Sequence, residues 1–139
     1  MPDCIFCRIV KGEIPSSKLI DDEHAFAFMD IGPVSPGHAL LSPKKHYERL
    51  TDMPADELAA LAAHLPRLAR AVVTASNAEG FNILQTNGAC SGQVVPHVHF
   101  HIIPRHTNDG KGWPWPAQKY PPGEMEKMHA RLVEALKKP

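Results

Sequence analysis

The feature that most constrains this chain is the stretch PHVHFHII, residues 96–103. Histidine recurs at positions 97, 99 and 101, and apolar residues fill the positions between. Successive side chains of a β-strand point to opposite faces, so a strand would place all three imidazoles on one face, their Cα atoms about 6.5–7 Å apart in succession. The opposite face would be apolar, which predicts that it packs on a core.

Two chemistries compete for such a row of histidines. A His-X-His pair can hold zinc, and a third histidine with an open coordination position would make a hydrolytic metal site. Neutral imidazole is also a good nucleophile near neutral pH, and neighbouring rings can fix each other's tautomers. Decoration of a polar strand face is the plainest alternative, but three histidines within five residues exceed chance clustering. The spacing alone leaves metal site and nucleophile open.

Composition limits the possible partners. The chain has 139 residues and a formal net charge of zero, which predicts one domain over 1–139 and argues against binding to a nucleic acid polymer. Single nucleotides remain possible. The sequence suggests no signal peptide and no apolar run near the ~20 residues of a membrane span, so we expect no membrane partner. Three cysteines do not suggest a disulfide framework and predict a cytoplasmic location.

The local patterns predict an α+β fold with an antiparallel sheet of about five strands. Three helices are predicted: a short one over 3–12 capped by Asp3, a long one over 54–78 that Pro66 kinks near the preceding turn and Gly80 ends, and an amphipathic one over about 123–137. Strands are predicted at 18–20, 25–31, 38–43, 81–87 and 97–104. The segment 108–123 has no regular pattern.

The run HVHFHII resembles the signature of the histidine-triad (HIT) family, and the block from CIFC to PKKH, residues 4–46, is similar to its Hint-like, bacterial-type nucleotide-binding branch. The resemblance covers residues 3 to about 106, with the remainder a C-terminal extension. It implies the HIT fold and a homodimer. It also implies an enzyme that hydrolyses or transfers nucleoside monophosphates through a nucleotidyl-histidine intermediate.

The same resemblance assigns roles to individual residues. His99 would be the catalytic nucleophile, while His101 and Gln93 would support the phosphate. Asp30 would accept hydrogen bonds from the ribose hydroxyls, a role that suits a carboxylate. The complete set implied to bind the nucleotide is Ile5, Phe6, Ile9, Phe28, Met29, Asp30, Ile31, Asn87, Gly92, Gln93, Val94, His99 and His101.

Val94 departs from the family pattern. Many Hint-type members carry a serine or threonine there, whose hydroxyl helps the leaving group. Valine can neither donate nor accept a side-chain hydrogen bond, so only its backbone N–H remains for that task.

Cys4 and Cys7 form a CxxC pair at a predicted helix start. They could pack on an apolar face, act as a redox pair, or bind zinc; the redox motif lacks its usual βαβ setting. The family resemblance implies zinc, held by Cys4, Cys7, His46 and His97. Four protein ligands leave no open position, so this zinc would be structural. No organic cofactor is expected.

The expected function is therefore hydrolysis of nucleoside phosphoramidates or related nucleotidyl conjugates, with a purine nucleotide or its conjugate as the substrate. Alternatives are a dinucleoside polyphosphate hydrolase, a nucleotidyl transferase, or a zinc-stabilised nucleotide-binding module without turnover. His38 has no partner pattern in the sequence, so a packing role is expected for it. Trp113 and Trp115 could cover the pocket or contact a dimer partner.

Overall fold

The structure, a computed structural model, describes residues 3–138. Its centre is one five-stranded antiparallel sheet with the strand order β1-β2-β3-β5-β4. The strands are β1 (Lys18–Asp21), β2 (Ala25–Met29), β3 (Ala39–Pro43), β4 (Gly80–Gln85) and β5 (Phe100–Arg105). The helices are α1 (Ile5–Val10), α2 (Ala55–Ala62), α3 (Leu65–Ser76) and α4 (Glu124–Leu136). The predicted α+β class with an antiparallel five-stranded sheet is confirmed.

The sheet carries an apolar cluster on each face. Alternate residues of β2 divide between the two clusters, because side chains of a strand alternate. Ala25, Ala27 and Met29 join the larger core beneath α2, α3 and α4, whereas Phe26 and Phe28 pack on the other face with α1. The functional residues described below lie on this second face.

The predicted long helix is two helices. The break lies at residues 63–64, where the kink before Pro66 is expected, and Pro66 itself lies in the first turn of α3, where its missing N–H costs nothing. Gly80 does not end α3 as predicted. Asn77 does so in the left-handed conformation, at φ 56°, and Gly80 begins β4.

The combined stretch Ala55–Ser76 is long and apolar enough to cross a membrane by length and composition, contrary to the sequence expectation. Leu61, Leu68 and Val72 of this stretch are buried in the core between the helices and the sheet. The core helices of globular domains meet the same criterion, so this observation does not distinguish the two settings.

Cys4, not Asp3, caps α1. The Sγ atom of Cys4 accepts a hydrogen bond from the Cys7 backbone N–H at 3.4 Å, and both residues are buried. The helix thus begins one residue after the first cysteine, which directs both thiols of the CxxC pair toward the sheet.

Only His101 of the histidine row lies within a strand. The prediction of a strand over 97–104 was wrong at its start, because β5 begins at Phe100. A tight turn brings the His97 backbone N–H to the Val95 carbonyl oxygen, and the Val98 N–H bonds to Tyr47 rather than to a strand partner. The imidazoles nevertheless share one side, since the Phe6 ring contacts both His97 and His99.

The C-terminal part packs back on the domain. The predicted amphipathic helix is confirmed as α4, and its buried Met128, Leu132 and Leu136 repeat every four residues against α3. Residues 106–123 form neither helix nor strand, as predicted, and cross the sheet face that carries the histidines.

Candidate active site and metal site

Four sulfur and nitrogen atoms converge between α1, the end of β3 and the turn before β5. The Sγ of Cys4 lies 3.3 Å from the Nδ1 of His97, and the Sγ of Cys7 lies 3.4 Å from the Nδ1 of His46. The two Nδ1 atoms are 3.2 Å apart, and Cys7 Sγ lies 3.6 Å from His97 Nδ1. All four candidate ligand atoms lie within 4.8 Å of one another.

These distances fit a tetrahedral zinc ion. With Zn–S bonds of about 2.3 Å and Zn–N bonds of about 2.05 Å, tetrahedral ligands place sulfur and nitrogen about 3.5 Å apart and two nitrogens about 3.3 Å apart. The Nε2 of His97 donates to the Pro43 carbonyl oxygen at 2.8 Å, which leaves the lone pair on Nδ1, toward the cysteines. Such an outer hydrogen bond orients a histidine ligand.

Burial favours the neutral form of the imidazoles in this cluster. It lowers the pKa of His97 to about 4 and also lowers the pKa of His46. Burial raises the pKa of the Cys7 thiol, so metal binding must release its proton.

His99 has a defined tautomer. Its Nδ1 lies 2.7 Å from the carbonyl oxygen of His97, so Nδ1 carries the proton and donates it. The Nε2 atom therefore bears a free lone pair, which is the form a nucleophile needs. Burial lowers the pKa of His99 and keeps this ring neutral.

A chain of hydrogen bonds also sets the tautomer of His101. The backbone N–H of Val34 donates to His38 Nδ1 at 3.1 Å, so the proton of neutral His38 is on Nε2. That Nε2 lies 2.9 Å from His101 Nδ1 and donates to it. His101 must then carry its own proton on Nε2, where it can donate to a phosphate oxygen. Burial lowers the pKa of both rings to about 3, which preserves this arrangement.

An aromatic wall adjoins the nucleophile. The Phe6 ring meets His99 at a centroid distance of 4.9 Å and Phe28 at 5.3 Å, both edge-to-face. Ile9 packs on the same cluster, and so does Leu40, which the sequence did not suggest. The arrangement suits a flat apolar group beside the histidines.

Asp30 lies beyond this wall, next to His38. One carboxylate oxygen accepts a hydrogen bond from the Gly32 N–H at 2.8 Å, and the other lies 3.5 Å from His38 Nε2. Burial raises the pKa of Asp30. The side chain remains about one-fifth exposed, so it can still meet a ligand.

The loop between β4 and β5 is held by the side chains predicted to bind phosphate. The Gln93 side-chain oxygen accepts from the Gly88 N–H at 2.6 Å, and its amide nitrogen donates to the Glu48 carbonyl at 2.7 Å. The Asn87 side chain accepts from the Leu50 N–H at 2.7 Å. Gln93 and Asn87 therefore shape the loop, while Gln93 retains one further amide hydrogen.

Four predicted pocket residues differ from the aromatic wall in burial or in the face they occupy. Met29 is fully buried in the helix-side core, on the opposite face from Phe28, because strand alternation turns it away; its assignment to the pocket wall was wrong. Ile31 and Val94 are 77% and 90% exposed, and Ile5 is about half exposed, so in this conformation none of the three encloses the histidines.

The sequence did not predict that His38 and Trp115 contact His101. His38 directly precedes β3, which pairs Leu40 with His101, so the strand register brings the two rings together. Trp115 approaches from the irregular segment, with its ring 5.5 Å from His101 and 5.9 Å from His38. The sequence placed His38 at the start of a predicted strand and suggested that Trp115 could cover the pocket, but nothing in it paired either residue with His101.

Comparison with known proteins agrees with this geometry. A HIT-domain family model matches residues 11–108. The chain belongs to the HIT, or histidine-triad, family. Its fold is the HIT fold. An uncharacterised HIT-like protein of Methanocaldococcus jannaschii is 48% identical over 108 residues, which are 78% of this chain and 83% of that protein.

Two further HIT proteins bear on function. An adenosine 5′-monophosphoramidase of Candida albicans is 41% identical over 140 residues, covering 97% of this chain and 92% of its own length. The crystal structure of a zinc-bound histidine triad protein from Mycobacterium smegmatis is similar with a TM-score of 0.86 and 34% identity, over 98% of this chain and 94% of that one.

Proposed function

We propose that this HIT protein hydrolyses nucleoside phosphoramidates, or related nucleotidyl conjugates, through a covalent intermediate on His99. The observation that carries the proposal is the free Nε2 lone pair of His99, beside a His101 ring whose Nε2 carries a proton. The Candida albicans relative, named as an adenosine 5′-monophosphoramidase, supports the same reaction class.

The first step forms one bond and breaks another at the α-phosphorus. His99 Nε2 attacks the phosphorus and the P–N bond breaks. The amine takes its electron pair together with a proton from water, and the hydroxide left behind takes up the proton that the second step releases. The proton on His99 Nδ1 stays hydrogen-bonded to the His97 carbonyl. The resulting imidazolium is balanced by the phosphoryl oxygens, one of which accepts from His101 Nε2–H.

The second step restores the enzyme. Water attacks the phosphorus, the bond to His99 Nε2 breaks, and the nitrogen recovers its lone pair. The products are a nucleoside monophosphate and a proton. The aromatic wall of Phe6 and Phe28 would hold the base, preferably a purine, and Asp30 would accept hydrogen bonds from the ribose.

Replacement of His99 tests the covalent step. We expect His99→Asn to reduce hydrolysis of an adenosine phosphoramidate by at least about a thousand-fold, since the nucleophile is lost. Rapid quenching and intact-mass analysis should find a nucleotidyl adduct on the parent, mapped to His99. His24→Asn, which changes an exposed histidine, is the matched control.

The outcomes separate the candidate functions. A His99→Asn variant that hydrolyses as fast as the parent excludes the covalent mechanism. Faster turnover of a dinucleoside polyphosphate would favour that substrate, and label appearing in a second acceptor would favour transfer. Nucleotide binding without turnover of any of these would favour a zinc-stabilised binding module.

We propose that Cys4, Cys7, His46 and His97 bind a structural zinc ion. The tetrahedral spacing of their ligand atoms supports this assignment, as does the zinc-bound relative from Mycobacterium smegmatis. The metal would connect α1 to the sheet and leave His99 free to react. Thiolate ligands suit a reducing compartment, so we propose that the protein acts in the cytoplasm.

We also propose a homodimer formed through β4. This strand is at the sheet edge, and its Phe81 and Ile83 are large apolar residues that stay more than two-fifths exposed. An uncovered edge with apolar side chains invites pairing with a second copy.

A further inference from the structure

The two tryptophans of the chain lie in one short segment that crosses the candidate active site. We name residues 112–117 the tryptophan strap. The segment before it is fixed by Arg105, which pairs with Asp109 and donates to the Lys111 carbonyl. After the strap, the Gln118 N–H bonds to the Pro33 carbonyl oxygen and the Tyr120 hydroxyl accepts from the Gly37 N–H.

The strap covers three different parts of the site. Trp113 lies against Gly92 in the phosphate loop, so closely that its ring takes the place where a side chain there would begin. Trp115 contacts the imidazoles of His101 and His38. Ala117 lies over Gly32, where an added Cβ would be 3.3 Å from its own Cβ, next to the Asp30 carboxylate.

With the strap in this position the histidines are inaccessible. His99 is 5% exposed and His101 is 9% exposed. A nucleophile must come within about 3–3.5 Å of the phosphorus it attacks. Trp115 lies against His101 and Trp113 lies against Gly92, the groups that would border the α-phosphate of a nucleotide at His99.

The strap is held weakly in its middle. Within the described part of the chain, residues 112–117 make no hydrogen bond to the rest of the protein, and both indoles contact the site through their rings alone. A cavity of about 250 Å³ remains between the strap and strands β4 and β5, lined by Leu84 and Ile103 among others. Trp113 is 54% exposed. Such a segment can lift between fixed ends.

We propose that the tryptophan strap is a lid that must open before a nucleotide can reach His99, with Trp115 as the side chain that closes it. As a gate for a nucleotide substrate this rests on the proposed function, but the closure of the histidines can be tested without any substrate. The lid shields the His38–His101 pair from water in the free protein. It also makes access to the site depend on the chain's own C-terminal segment.

A reversible cross-link tests the lid directly. The double variant Gly32→Cys/Ala117→Cys is made in a Cys90→Ser background. The distance between its two Cβ atoms is close to the Cβ–Cβ distance found in disulfides, about 3.5–4.5 Å. Gly32 does not have a left-handed backbone, and an added Cβ would lie 3.3 Å from the Ala117 Cβ, so the two segments need separate by only a few tenths of an ångström to accept the bridge. Dipyridyl disulfide oxidises the thiol pair to a disulfide and is itself reduced to two thiopyridones.

We expect the locked variant to lose at least about ten-fold in AMP affinity and in hydrolysis, and to recover both after reduction with a phosphine. The Cys90→Ser parent and each single cysteine variant, treated in the same way, control for oxidation of Cys4 and Cys7. A locked variant, with its disulfide verified by mass, that binds AMP and turns over within two-fold of its reduced form would overturn the lid.

A second measurement needs neither nucleotide nor turnover. Diethyl pyrocarbonate acylates accessible neutral imidazoles, and peptide mapping gives the rate at His99 and His101 separately. We expect Trp115→Ala to accelerate both rates at least about ten-fold, whereas Trp113→Phe should change them less. Equal rates in Trp115→Ala and the parent would refute closure by Trp115. If acylation is gated but no phosphoramidate is cleaved, the lid stands and the proposed function fails.

Discussion

At the scale of single residues, the candidate site depends on where protons sit on three imidazoles. Backbone groups set the tautomers of His99 and His38, and the His38 ring in turn sets that of His101. The His97 carbonyl holds the His99 proton on Nδ1, and the Val34 N–H holds the His38 proton on Nε2. His38 thereby makes His101 a donor at the atom that faces a phosphate. His38, which belongs to no motif in the sequence, thus determines which nitrogen of His101, a member of the histidine row, carries the proton.

His38→Phe should break this chain of hydrogen bonds while preserving ring volume. We expect turnover to fall about 10- to 100-fold, because a donor to the phosphate is misplaced rather than deleted. Nitrogen-15 NMR of the imidazoles should show His101 losing its single tautomer. The Asn side chain of His38→Asn can still donate to His101, so the turnover of this variant should lie between that of the parent and that of His38→Phe. An unchanged His101 tautomer with turnover within two-fold of the parent would contradict the assignment.

At the scale of elements, α1 depends on what its first turn contacts. A helix of six residues is too short to be stable alone. Its N-cap is the Cys4 sulfur, which is also a candidate metal ligand, and Phe6 supplies the wall beside His99. Zinc would therefore stabilise the same helix that completes the nucleotide pocket.

Cys4→Ser should release zinc and loosen α1 together. We expect zinc content, measured by elemental analysis, to fall from one per chain to well below one. The free energy of unfolding should fall by about 3 kcal/mol or more at zinc concentrations a hundred-fold above its Kd. Cys90→Ser, at an exposed cysteine, should change neither. A purified parent without stoichiometric zinc would rule out the structural metal.

At the scale of the whole molecule, the exposed apolar residues of β4 predict self-association. Ile83→Asp places a charge in the proposed interface, and we expect it to convert a dimer to a monomer in light scattering coupled to size-exclusion chromatography. Glu23→Lys is a charge change at an exposed turn beside β1, at the other edge of the sheet, and should leave the dimer intact. A parent that is monomeric at micromolar concentration would contradict the interface.

The buried histidines predict acid sensitivity of the fold. Burial lowers the pKa of His38 and His101 from 6.5 to about 3. Above pH 6.5 these rings are neutral in both the folded and the unfolded chain. Between pH 6.5 and 3 only the unfolded chain binds the protons, so stability falls by about 1.4 kcal/mol per pH unit for each ring.

Denaturant unfolding across this pH range, in the Cys4→Ser background to remove zinc, should measure that slope. The slope of unfolding free energy against pH counts the protons that only the unfolded chain binds. Adding His38→Asn should lower that count by close to one. A stability that stays constant from pH 6.5 to 4.5 would mean that the two imidazoles are protonated in the folded protein.

The sequence by itself determined the class of fold and the chemistry. Local periodicity is sufficient for most of the strands and helices, because alternation and helical spacing depend on neighbours in the chain. The histidine row and the CxxC pair identified the family through short runs of residues. The same local reasoning misplaced the start of β5, because the turn there depends on a hydrogen bond from the Val98 N–H to the distant Tyr47 carbonyl oxygen.

Tertiary structure alone decided how the histidines divide their roles. The register of β3 against β5 placed His38 beside His101, and the turn before β5 directed His97 toward Cys4 and Cys7. It also laid Trp115 over the site. These contacts join residues far apart in the chain, and their geometry depends on the packing of the complete domain, which periodicity does not record.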